Sequence, residues 1–145
     1  MRGGLIALFA ATFLELCGLF MYGPLLLFTL KARGLEEAWI GLFGAVQWLG
    51  MALATPFTAG WVRRLGARRA LLLAAAVPLV AYAGINLSDA VPLWALLYLI
   101  AGMAGALRWI VAEAMVAELA PPERRGRIVG LFETMVGLTF VVGPA

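Results

Sequence analysis

Four ionisable side chains stand inside long apolar stretches, where a charge is costly. They are Glu15, Arg108, Glu113 and Glu133. Moving one charge into hydrocarbon costs about 2.5–3.5 kcal/mol on insertion scales, so such residues are functional candidates. A carboxyl group in apolar surroundings favours its protonated form and could carry a proton. A guanidinium could hold an anionic solute. The residue types therefore point to the binding and movement of protons or small solutes.

Glu15 and Arg108 each belong to a stripe of side chains at helical spacing. Glu15 shares a face with Thr12 and Tyr22, which makes that stripe polar. The face of Arg108 carries small residues, namely Ala101, Ala104, Gly105 and Ala112. Small residues allow close helix packing, or they leave space for a ligand. Glu15, Tyr22 and Arg108 are therefore candidates for a substrate or proton pathway, while helix packing or an ion pair that locks the bundle is the alternative.

The other two acids lie nearer the ends of their apolar stretches. Glu113 follows Arg108 by five residues and points about 140° away from it on an ideal helix, so the two do not neutralise each other directly. Glu133 lies about two turns into its stretch. We interpret both as interfacial residues with a structural role.

Long apolar segments must position these residues. The 145-residue chain is 64% hydrophobic and 13% charged, against about 45–50% and 25% in soluble domains. Five stretches reach or approach the roughly 20 residues of a spanning helix: 5–30, 38–62, 69–88, 92–118 and 128–145. Because backbone groups in lipid must be paired within the segment, these stretches predict helices. The predicted fold is an all-α membrane protein.

The basic residues predict how the chain is oriented. Eight lie on one side of the helices: Arg2, Arg63, Arg64, Arg68, Arg69, Arg124, Arg125 and Arg127. The opposite side has only Lys31 and Arg33, balanced by Glu36 and Glu37. Since cytoplasmic loops are enriched in Lys and Arg, the N-terminus and the arginine-rich turns are predicted to be cytoplasmic.

Composition argues against several other functions. The chain has no histidine, one cysteine (Cys17) and one serine (Ser88). A Cys/His metal site and nucleophilic machinery of the Ser–His or Cys–His type are therefore not expected, and we predict no enzyme activity, catalytic residue, metal or cofactor. The basic residues are few and confined to short turns, so no nucleic-acid partner is expected.

Three segments resemble the major facilitator superfamily. In GWVRRLGARR, the family's basic turn between the second and third helices is matched by Arg64, Gly66, Arg68 and Arg69. The turn is one residue short, and Arg63 stands where the family has an acid. LRWIVAEAMVAELAPPERRGR resembles the fourth helix and the turn after it. GLFETMVGLTFVVGPA resembles the fifth-helix motif of drug/proton antiporters through Gly130, Gly143 and Pro144, with Thr139 replacing a glycine.

The resemblance implies a fold and a function. It implies that residues 1–145 are an incomplete N-terminal part of a six-helix half, in a transporter of two such halves. It also implies that the first and fourth helices line the cavity, that the arginine turn gates the conformational switch, and that Arg68 or Arg69 pairs with Glu118. The expected activity is proton-coupled export of a small organic molecule across a bacterial-type inner (plasma) membrane.

The implied partners are a small-molecule substrate, protons, the lipid bilayer and the missing C-terminal half. Alternating access rocks one half against the other, so this portion is not expected to transport alone. A non-transporting membrane subunit or regulatory half-molecule is the alternative. The apolar cavity helices would suit a lipophilic drug, whereas Arg108 would suit an organic anion, and the sequence leaves this choice open.

Overall fold

Five α-helices form almost the whole chain. The computed structural model describes residues 2–144, so the predicted bounds at residues 1 and 145 lie outside the described part. The helices are α1 (Arg2–Ala32), α2 (Glu37–Leu65), α3 (Ala67–Asn86), α4 (Val91–Leu119) and α5 (Arg125–Val142), with a 3-10 turn at Pro122–Arg124. No β-strand occurs among the described residues. The helices occupy the five predicted stretches, with ends that differ by a few residues.

Four of the helices are long and apolar enough to cross a membrane: Gly3–Ala32, Glu37–Leu65, Ala67–Asn86 and Val91–Leu119. The fifth, α5, has 18 residues, of which Arg125, Arg127 and Glu133 are charged. It is helical as predicted, but it is not one of the four. The prediction of an all-α membrane protein is confirmed, whereas the six-helix half remains a prediction.

Polar hydroxyl groups inside the helices are satisfied locally. Thr29 and Thr55 donate to the backbone carbonyls of Leu25 and Met51, one turn earlier, over 2.8 Å in each case. Such bonds let a helix carry a hydroxyl without leaving a donor unpaired. One proline interrupts each of the first three helices, at Pro24, Pro56 and Pro78. Membrane helices tolerate such positions because neighbouring groups satisfy the freed backbone carbonyl.

The chain divides into two compact units. The central unit is Glu36–Val111 and holds α2, α3 and α4 up to Val111. The terminal unit joins the described residues up to Leu35 with those from Ala112 onward. It therefore contains α1, the last turns of α4, and α5.

The central unit is built by close contact between helix backbones. A Cβ atom on Gly50 of α2 would overlap the backbone carbonyl of Leu99 on α4, and one on Gly102 would overlap that of Gln47. Only glycine, which has no Cβ atom, fits at these two positions. Small residues at helix crossings provide close van der Waals packing where lipid supplies no hydrophobic drive between helices. The pair Gly50 and Gly102 therefore sets the spacing between α2 and α4.

The terminal unit is packed by aromatic rings. Phe9 of α1 meets Phe132 of α5 edge to face, with ring centroids 5.2 Å apart. Two to three turns further along α1, Phe20 meets Phe140 with centroids 3.9 Å apart. Edge-to-face and offset aromatic pairs contribute about 0.5–1.5 kcal/mol beyond their buried area. These two pairs hold α1 against α5 over the stretch from Phe132 to Phe140.

Candidate functional site

Arg108 lies in the interior of the central unit. Its side chain is 7% exposed, and the neighbouring Ala104, Ala106 and Leu107 on α4 are also buried. The guanidinium interacts with other groups of the protein. Burial of this arginine agrees with the sequence interpretation of an intramembrane charge.

The backbone contact between α2 and α4 positions Arg108. Gly102 precedes Arg108 by six residues, which is about 9 Å along the helix. One turn nearer, the Cβ position of Gly105 lies 3.6 Å from Cε of Met51 on α2. The part of α4 that carries Arg108 is therefore held at a fixed distance from α2. Of the small residues that the sequence showed on this face, Gly105 is in contact with a methionine of α2. Gly102, which makes the backbone contact, was not among them.

An aromatic cluster in the central unit was not predicted from the sequence. Tyr98 of α4 is 4% exposed, and its ring stacks on Phe43 of α2 with centroids 5.4 Å apart. The ring of Tyr82 on α3 also lies near the ring of Tyr98, with centroids 6.4 Å apart. The three helices thus meet at one aromatic centre, about 15 Å along α4 from Arg108. The signal available in the sequence was the presence of two tyrosines, each within a run of apolar residues.

Glu15 and Tyr22 lie in the terminal unit, on α1. Both side chains are half-buried, while Thr12 on the same stripe is 4% exposed. All three make polar, aromatic or electrostatic interactions within the protein. Glu15 falls between Phe9 and Phe20, the two positions where α1 is clamped to α5. Its helix is therefore fixed on both sides of the carboxyl group.

Glu113 and Glu133 both lie in the terminal unit, within electrostatic range of each other. The charge of Glu113, in the last turns of α4, acts on Glu133 of α5. Glu113 is half-buried and Glu133 is exposed. The sequence interpretation treated them as separate interfacial residues and missed the pairing, because no sequence pattern shows which sides of α4 and α5 face each other. Two carboxylates that sense each other repel when both are ionised.

The basic turn between α2 and α3 depends on one glycine. Gly66 has φ +79°, a left-handed conformation that residues with a Cβ atom rarely adopt. Its amide donates to the carbonyl of Val62, and its own carbonyl accepts from the amide of Ala70. With no residue besides Gly66 between the helices, the chain reverses sharply. Arg64, Arg68 and Arg69 are all exposed around it.

The remaining predicted residues lie in the terminal unit. Glu118 is exposed in the last turn of α4, and its pairing with Arg68 or Arg69 remains a prediction. Gly130 has open space around its Cβ position. Gly143 is different, because a Cβ there would lie 2.9 Å from Cβ of Phe20 and 3.0 Å from the carbonyl oxygen of Cys17. Pro144 follows it and is exposed.

Thr139, which replaces a glycine of the fifth-helix motif, is fully buried. Its hydroxyl donates to the carbonyl of Val136 over 2.6 Å, so the polar atom is satisfied within α5. The methyl group and hydroxyl thus fill a place in the core of the terminal unit. The departure from the motif is accommodated by packing.

Comparisons with known proteins agree with the architecture. The family profile described as Major Facilitator Superfamily matches residues 8–145. The chain is 24% identical over 121 residues to YfkF, an uncharacterised MFS-type transporter of Bacillus subtilis (strain 168). This alignment covers 83% of the chain but only 31% of the relative. The chain therefore spans about a third of the length of that relative. No solved structure matches it.

Proposed function

The chain belongs to the major facilitator superfamily, and we propose on that premise that it is the N-terminal portion of a secondary active transporter. The transporter moves a small organic molecule outward in exchange for protons. The observation that carries the proposal is the buried Arg108, a costly charge in the interior of an integral, multi-pass membrane protein. The sequence alignment supports the same reading, because the relative is described as an MFS-type transporter.

Each candidate residue receives a role in this proposal. Arg108 binds a negatively charged or strongly polar part of the substrate, and Tyr22 contributes a hydroxyl. Glu15 takes up and releases the coupled proton. The turn at Arg64, Gly66, Arg68 and Arg69 gates the conformational switch, with Glu118 as its acidic partner. The C-terminal half supplies the other wall of the cavity, since alternating access needs two halves.

The N-terminus and both arginine-rich turns lie on the cytoplasmic side of a bacterial-type inner membrane in this proposal. The distribution of Lys and Arg between the two sides supports that orientation. A reporter that is active only in the cytoplasm, inserted after Gly66, is expected to be active. The same reporter inserted after Asp89, in the α3–α4 break, is expected to be inactive. The reverse pattern would contradict the orientation.

A vesicle experiment tests the transport function. The complete polypeptide that contains this chain is reconstituted, and a pH gradient is imposed while labelled lipophilic cations and organic anions are followed. We expect at least one solute to move only while the gradient is present. A stable complex with another membrane protein, together with no transport of any solute, would support the non-transporting subunit instead.

Glu15→Gln tests the proton pathway within that experiment. Glutamine keeps the size and hydrogen-bonding capacity of the side chain but cannot exchange a proton. We expect coupled transport to fall to the level of vesicles without a gradient. Glu36→Gln, in the break between α1 and α2, is the matched control and should retain coupling. Full coupled transport by the Glu15 variant would remove Glu15 from the pathway.

A further inference from the structure

The turn between α2 and α3 concentrates positive charge that its own unit does not balance. Arg63, Arg64, Arg68 and Arg69 are all exposed. The chain length between Arg64 and Arg68 keeps their Cα atoms within about 14 Å. The acids of the central unit are Glu36, Glu37 and Asp89, all at the opposite ends of the helices. About 39 Å of helix separates Glu37 from Arg63. The four arginines, here called the basic turn, therefore have no acidic neighbour in their unit.

The helix ends around Gly66 increase the excess of positive charge at this turn. Arg63 and Arg64 lie in the last turn of α2, where the negative end of the helix dipole favours cations. Arg68 and Arg69 lie in the first turn of α3, which contains no acidic residue. There the positive end of the dipole opposes two more positive charges. The proposed pairing with Glu118 would neutralise only one of the four guanidinium groups, and an anion held by the others would relieve the remaining repulsion.

Trp61 lies at the end of α2 that carries the basic turn. This half-buried tryptophan precedes Arg63 by two residues, and its ring stacks on the exposed Phe57 with centroids 6.3 Å apart. Tryptophan is enriched where the hydrocarbon meets the headgroup region. Side chains one turn beyond a tryptophan at that boundary would reach the phosphate layer. Arginine matches phosphate through its planar fork of donors.

We propose that the basic turn binds the phosphate groups of anionic lipids in the leaflet that it faces. The partner is a lipid headgroup with one net negative charge, such as phosphatidylglycerol. The inference rests on the membrane insertion of α2 and α3 and not on transport, so the two proposals can fail separately. The turn between α4 and α5 differs, because Glu118 and Glu123 lie beside Arg124, Arg125 and Arg127.

The test compares two variants that remove the same charge from the same side of the membrane. The complete polypeptide in nanodiscs of phosphatidylcholine is titrated with a spin-labelled phosphatidylglycerol, and the fraction of motionally restricted lipid is measured. A single basic residue near an anionic surface contributes about fivefold in affinity. Arg64→Gln, Arg68→Gln and Arg69→Gln together are expected to weaken binding by about a hundredfold on that scale. Arg124→Gln, Arg125→Gln and Arg127→Gln together should weaken it by less than about tenfold.

Three further comparisons decide whether the basic turn binds lipid phosphate. Arg64→Lys, Arg68→Lys and Arg69→Lys together keep the positive charge. This variant should bind the labelled lipid within about threefold of the original protein, which separates an effect of charge from an effect on folding. Glycerol phosphate in solution should not displace the labelled lipid. Equal losses in the two triple glutamine variants would mean general attraction to a charged surface and would overturn the proposal. Displacement by glycerol phosphate would overturn it too, because the turn would then be a site for soluble anions.

Discussion

The two units of the molecule differ in the contacts that hold their longest helix pairs together. In the central unit, Gly50 and Gly102 bring the backbones of α2 and α4 into direct contact. In the terminal unit, aromatic pairs such as Phe9 and Phe132 fill the space between α1 and α5. The first contact joins two backbones, whereas the second joins side chains. The comparison teaches that Arg108 lies on a helix placed by direct backbone contact, while Glu15 lies on a helix placed by aromatic rings.

The largest effect is expected where the backbones touch. Gly102→Ala forces a Cβ atom into the carbonyl of Gln47, so α2 and α4 must separate. We expect a loss of about 3 kcal/mol or more in the free energy of unfolding, measured in mixed detergent micelles. Gly41→Ala on α2 is the matched control, because its Cβ meets nothing within 4 Å. That variant should be neutral or stabilising by up to about 1 kcal/mol. Equal stabilities would mean that α2 and α4 are not in backbone contact.

Removal of an aromatic ring tests the packing of α1 against α5 in the terminal unit. Phe132 is 2% exposed, and Phe132→Ala is expected to cost about 3 kcal/mol, close to the low end for a buried phenylalanine, because neighbouring side chains can partly fill the cavity. Leu131→Ala, at the next residue, removes a side chain that is 55% exposed and should cost less than about 1 kcal/mol. The same unfolding measurement applies. A loss from Phe132→Ala as small as that from Leu131→Ala would show that the α1–α5 contact contributes little.

A smaller effect is expected from a single hydroxyl group. Thr139→Val removes the buried hydrogen bond to the carbonyl of Val136 while the shape of the side chain is kept. We expect a loss of about 1 kcal/mol. Thr134→Val removes a similar bond to the carbonyl of Gly130 at an exposed position of the same helix, and should cost less than about 0.5 kcal/mol. If the two losses are equal, burial of Thr139 does not matter to its hydrogen bond.

Much of the helical framework could be predicted from the sequence. Long apolar runs must become helices in lipid, so α1 to α4 were predicted to within a few residues. The exposed basic residues around Gly66 marked the turn between α2 and α3, and the glycine proved to have the positive φ that such a turn needs. The burial of Arg108 followed from its place within an apolar stretch. These features depend on local composition, which a sequence displays directly.

Contacts between helices could not be predicted in the same way. In a membrane helix, the side that faces lipid and the side that faces another helix can both be apolar. Hydropathy therefore does not reveal which neighbouring helix it packs against. The approach of Gly102 to Gln47, the cluster around Tyr98 and the interaction of Glu113 with Glu133 all depend on helix rotation. The small-residue stripe near Arg108 allowed either packing or a ligand. The structure shows that Gly102, near this stripe, is used for packing.

Substrate kinetics of Arg108 variants test the central claim most directly. In the complete polypeptide, Arg108→Ala is expected to raise KM for the transported solute at least about tenfold, with Arg108→Lys in between, because a point charge replaces the fork of donors. Arg33→Ala, in the α1–α2 break, is the control and should leave KM unchanged. Unchanged KM and turnover for Arg108→Ala would contradict the account. If that variant also unfolded more easily, the guanidinium would be a structural ion-pair partner.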